Sequence, residues 1–95
     1  MSKEFLVTGI GEKDGLKREF ESQLDTLLED APADSFATSD IIRLNKGYFG
    51  TLQICSATGQ FMAKASGSEL LGITQDLLHQ MKEKLGHWRK YRYFY

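Results

Sequence analysis

The chain has one cysteine, one proline and two histidines in 95 residues. With Cys55 alone an internal disulfide is excluded, which fits a reducing, cytoplasmic compartment. Two histidines without a Cys/His cluster leave a structural zinc site without ligands. No apolar run approaches the roughly 18 residues that span a bilayer, so no membrane partner is expected. The opening Met1-Ser2-Lys3-Glu4-Phe5-Leu6-Val7 carries an early acid and no apolar core segment, and does not read as a signal peptide.

The machinery of common enzymes is also missing. Gly9-Ile10-Gly11 is no dinucleotide fingerprint, because the third glycine of G-x-G-x-x-G would fall at Asp14. No phosphate-cradling glycine loop is present. Cys55 has no basic neighbour in sequence to activate its thiol, and reads as a small packed strand residue. His79 falls on a polar helix face. A catalytic base needs a third group to orient it, so a solvated or anion-contacting role fits better. Glu29, Asp30, Asp34 and Asp40 lack the alternating spacing of a calcium loop and read as helix-end and turn residues. The expectation is a protein without catalysis, cofactor, metal or small-molecule substrate.

What is present is strong periodicity. Glu4 to Ile10 is rich in β-formers and closes on glycine, a strand pattern. From Asp14 to about Glu29, Leu16, Phe20, Leu24, Leu27 and Leu28 form the stripe of an amphipathic helix. Its outer surface carries Arg18, Glu21, Asp25 and Glu29. Pro32 biases the residue before it away from helix. Three strands follow: Phe36 to Leu44, Tyr48 to Cys55 and Gln60 to Ala65. They are separated by the turn signals Asn45-Lys46-Gly47 and Ser56-Ala57-Thr58-Gly59, and links this short predict an antiparallel meander. Ser68 is a good N-cap, with Glu69 in the first turn, for a second helix. That helix has the stripe Leu70, Ile73, Leu77, Met81, Leu85 and Trp88, with Leu78 on its flank. His79, Lys82, Arg89 and Lys90 fall on its far side, and Lys84 lies near the stripe with its stem packed. Gly86 is a point where this helix frays or ends, leaving a tail.

The order β-α-β-β-β-α defines an α+β fold. It is a two-layer sandwich, a four-stranded sheet with both helices on one face, formed by residues 1–95 as a single domain. The expected core includes Phe20, Leu24, Ile54, Phe61, Ile73, Leu77 and Met81. The opposite sheet face should be open to water or to a partner.

Charge is unevenly placed. From His79 onward there are five basic residues (Lys82, Lys84, Arg89, Lys90 and Arg92) against Glu83, a net of +4, while residues 1–78 carry a net of −5. Such polarity points to an anionic partner at one end. The end itself, residues 86–95, interleaves bases with aromatics. Arg89, Lys90 and Arg92 can meet phosphates. Trp88, Tyr91, Tyr93 and Phe94 offer flat faces for bases, a contact of about 1–3 kcal/mol each. The competing reading has Trp88 closing the core and the rest forming a solvated or dimer-forming end, since tyrosines also favour protein interfaces.

Ala63, Ala65, Gly67, Glu69 and Ile73 resemble the A-x-A-x-G-x-D/E start and helical isoleucine of the ribosome hibernation-promoting factor family. This family is also called the sigma-54 modulation or ribosome-associated inhibitor family. The likeness is strongest over Ala63 to His87. Gly15-Leu16-Lys17-Arg18-Glu19-Phe20 also looks like the family's opening helix. The resemblance implies the same β-α-β-β-β-α fold. It further implies binding to rRNA of the small ribosomal subunit, where family members occupy the decoding region and block translation under stress. Lys82 and His87 fall near positions that are often basic in the family. The RNA-binding candidates are therefore Lys82, His87, Trp88, Arg89, Lys90, Tyr91 and Arg92. The chain departs from the family in its acidic first helix, in Leu71 where an aromatic is common, and in Gly72 where alanine is. The alternative is a protein-interaction domain that uses the aromatic end without RNA.

Overall fold

A computed structural model describes residues 4–10, 15–32, 34–57 and 59–91, with the backbone alone at Glu4 and Tyr91. The elements run β1 (Glu4–Thr8), α1 (Leu16–Leu28), β2 (Phe36–Leu44), β3 (Gly47–Ser56), β4 (Gly59–Gly67) and α2 (Leu70–Tyr91). This is the expected α+β order. The sheet is mixed, with spatial order β1-β2-β3-β4. β2, β3 and β4 form the antiparallel meander that their short turns require. β1 lies parallel to β2, with Glu4 opposite Phe36 and Thr8 opposite Asp40. A parallel pair needs a long crossover, and α1 supplies it.

Alternation along the strands explains the two layers. Val7, Ala37, Ile41, Leu52, Ile54, Ala63 and Ala65 are buried on one face. Phe20, Leu24, Leu27 and Leu28 of α1 meet them there, with Ile73, Leu77, Met81 and Leu85 of α2. Each fully buried side chain of this kind contributes about 1.5–3 kcal/mol over an exposed one. Two buried hydroxyls are satisfied locally: Ser39 donates to the Thr51 carbonyl at 2.8 Å and Thr74 to the Leu71 carbonyl at 2.9 Å. The other face of the sheet is open. Thr8, Thr38, Asp40, Thr51, Gln53 and Lys64 occupy it, with exposed Leu6, Ile42 and Met62 among them.

Several expectations are corrected. β1 stops at Thr8 rather than Ile10, because Gly9 takes φ 89°. A Cβ at Gly9 would collide with the Ile41 carbonyl, so the chain crosses β2 there only as glycine. Ser68 is not the cap of α2. The helix starts at Leu70, and the Glu69 carbonyl accepts the Ile73 N–H at 3.2 Å. Gly86 does not end α2, which continues to Tyr91. One glycine costs a helix about 1 kcal/mol, less than the packing of Met81, Leu85 and Trp88 around it provides. Phe61 is only half-buried, because β4 is an edge strand; the other six expected core residues are buried. Lys84 is exposed.

Candidate nucleic-acid interface

The described candidate residues sit on the last half of α2, and the packing of α2 decides which way each one faces. The helix covers β3 and β4 and lies beside α1. Lys82 borders the groove between the helices, with Gln23, Thr26 and Leu27 of α1 and Leu78 and His79 of α2. Arg89, two turns further on, shares that flank. Its Nη1 donates to Asp30 Oδ1 at 2.8 Å, and both side chains are about half exposed, at 50% and 51%. Asp30 follows the end of α1, so both helices bring their C-termini to this corner. A helix C-terminus carries a partial negative charge. α1 has no basic residue in its last turn, whereas α2 has Arg89 and Lys90. The helix ends therefore give these cations a structural role beside any phosphate they meet.

His87 and Trp88 lie on the opposite flank, over the edge of β4, where Gln60, Phe61, Met62 and Lys84 join them. The Trp88 ring stands edge-on to Phe61, with centroids 6.1 Å apart at 80°. Trp88 is half-buried by this packing. Lys90 is exposed, and at about 100° per residue it lies between the two flanks. Tyr91 ends α2, and Arg92, Tyr93 and Phe94 lie outside the described residues. The structure thus brings Lys82 and Arg89 together, and His87 and Trp88 together, on different sides of one helix.

Two features were missed from sequence. One is the Arg89–Asp30 pair, whose members are 59 residues apart with no local pattern linking them. The other is a Lys17–Arg18 pair that, with Gly15 and Glu21, lines a recess at the start of α1. His79 pairs with Glu83, Nε2 to Oε1 at 2.6 Å, which a spacing of four on one helix face could have suggested. An exposed pair such as Asp30–Arg89 contributes at most about 1 kcal/mol. Asp30→Asn should therefore change stability by less than about 1 kcal/mol in urea titration.

Among the described residues no group of three His, Cys, Asp or Glu side chains converges to hold a metal. No described helix is long and apolar enough to cross a membrane. Cys55 is a free, half-buried thiol in β3, opposite Phe36 on one side and Gln60 on the other. Cys55→Ser should leave the fold and any binding activity unchanged; loss of activity with the circular dichroism retained would point to thiol chemistry.

The geometry defines a two-layer α+β protein with a mixed four-stranded sheet and two parallel helices, the fold expected from the hibernation-promoting factor resemblance. Solved structures share it. The Thermus thermophilus Protein Y N-terminal domain superposes with a TM-score of 0.72 at 12% identity, covering 93% of this chain and 99% of that one. A ribosomal subunit interface protein from Coxiella burnetii gives 0.70 at 12% identity, covering 95% and 99%. At this identity the likeness is one of fold. No protein-family model and no curated protein matches the sequence.

Proposed function

We propose that this chain is a non-enzymatic ribosome-binding modulator of translation that contacts rRNA of the small subunit in the cytoplasm. The observation that carries this reading is the near-complete fold likeness to a ribosomal subunit interface protein, 95% of this chain on 99% of that one. The exposed bases Lys82, Arg89 and Lys90 on the outer side of α2 support it. They lie at the one end of the chain with net positive charge.

The test is co-sedimentation with purified small ribosomal subunits. At low salt the chain should pellet with them, and rising salt should release it steeply, as phosphate contacts require. A chain that stays in the supernatant at low salt overturns the reading. The second reading, a protein-interaction domain using the aromatic end, is favoured by the Asp30 carboxylate that holds Arg89. Binding of that kind need not weaken with salt.

A further inference from the structure

β4 is the last strand of the sheet, so among the described residues one side of its backbone has no strand beside it. The Gln80 side chain of α2 donates to the Lys64 carbonyl on that side, at 2.8 Å. In an antiparallel strand the N–H and C=O of one residue point the same way, and successive residues alternate. Lys64 therefore turns both groups away from β3. By the two-residue period Met62 and Gln60 do the same. The centre of the sheet agrees. The Thr51 carbonyl accepts the Ser39 hydroxyl from β2, so Thr51 points away from Lys64, its partner in the register.

Sheet edges are commonly screened by charge or by a covering side chain. Lys64 and Gln80 screen the middle of β4 in this way. Toward Gly59, no other described side chain is seen to bond the outer backbone of the strand. There, Gln60 and Met62 border an open groove of about 550 Å³ under the last turns of α2. Phe61 and Trp88 form its apolar wall. Met62, 45% exposed, lies toward the open sheet face. Lys84 lines the groove, and Lys64 stands beside Met62 on the open sheet face. The acid in the lining, Glu83, is engaged by His79.

We propose that the Gln60–Met62 edge of β4 docks an extended peptide of alternating aliphatic and acidic residues as a fifth strand. The outward backbone groups supply main-chain hydrogen bonds, and strand alternation sorts the side chains. Aliphatic residues of the peptide lie against Phe61 and Trp88. Acidic ones lie on the open sheet face, beside Met62 and Lys64. A second copy of this chain fits less well, because pairing β4 with β4 would bring two like-charged α2 ends together. The site lies on the other side of α2 from Lys82 and Arg89, and it shares His87 and Trp88 with the RNA-binding candidates.

The test is amide NMR on the full chain, titrated with a capped hexapeptide that alternates valine and glutamate. The valine–lysine peptide is the control. Shifts should centre on Gln60, Phe61, Met62 and the Trp88 indole, and exchange of the Met62 amide should slow on binding. Lys64→Glu reverses the charge beside the peptide's acids and should weaken binding by about two- to five-fold. Met62→Pro removes one outward donor at a position where an edge strand tolerates proline, and should weaken binding about tenfold. The proposal is overturned by the absence of shifts with millimolar peptide. Equal binding of the lysine peptide also overturns it, as do shifts centred on Leu6 and Thr38 of the open face. β4 shifts that follow protein concentration without peptide would make a second copy the occupant instead. Should Met62→Pro fail to fold, the Lys64→Glu result decides: unchanged affinity rejects the acidic partner.

Discussion

Leu77→Ala should destabilise the protein by about 2–5 kcal/mol, the range for deleting a buried leucine where the cavity cannot collapse. Leu77 is 0% exposed and lies at the contact of α2 with the sheet. That contact is close because β3 has glycine beneath it. A Cβ on Gly50 would stand 2.9 Å from Ile73 Cγ2 and 3.2 Å from Leu77 Cδ1. Gly50→Ala alone should overpack the same place and cost about 1–3 kcal/mol. The two changes share one space, so their sum should overestimate the double variant, since the new methyl partly refills what the leucine vacates. Urea titrations of the four proteins measure this. A loss under about 0.5 kcal/mol for Leu77→Ala would mean that the stripe of α2 faces elsewhere.

This contact was half legible in the sequence. The steps from Ile73 to Leu77 to Met81 place one face of α2 inward, and the alternation of Gly50, Leu52 and Ile54 does the same for β3. Neither pattern says that Gly50 lies under Leu77, because that depends on where the helix crosses the sheet. The same division holds elsewhere. The turns at Gly47 and Gly59 were readable from local chemistry, and so were the three strands they join. The parallel pairing of β1 with β2 was not, since it joins segments with a helix between them. Gly86 misled because propensity is a weak local term that packing on both sides overrides.

The candidate site divides in the same way. Helical spacing identified Lys82, Arg89 and Lys90 as exposed, and they are. It did not separate Arg89 from Trp88 by flank, because the neighbours that define those flanks, α1 and β4, lie far away in sequence. Nor did it find Asp30 beside Arg89. That carboxylate changes what the C-terminal bases can do. A phosphate that takes Arg89 must displace Asp30 or share the guanidinium with it, and the acidic side chain adds repulsion of its own.

The largest functional effect should come from removing Arg89, Lys90 and Arg92 together, although Arg92 lies outside the described residues. These are three of the five bases in the positive segment, and the remaining seventy-eight residues carry a net of −5. A polyanion is repelled by that remainder, so its binding must be local to this end. Each lost phosphate contact should flatten the slope of log K against log salt by about 0.7–0.9. The triple alanine variant should therefore weaken binding to small ribosomal subunits and flatten the slope by roughly two to three. Arg18→Ala, at the start of the acidic α1, should change little. Asp30→Asn should act in the opposite sense: it releases Arg89 and removes a repulsive charge, so binding at low salt should tighten. If the triple variant binds as well as the parent at matched salt, Arg89 and Lys90 serve the helix ends alone. Tighter binding by Asp30→Asn together with the weakened triple variant would place the phosphate at the corner where α1 and α2 end.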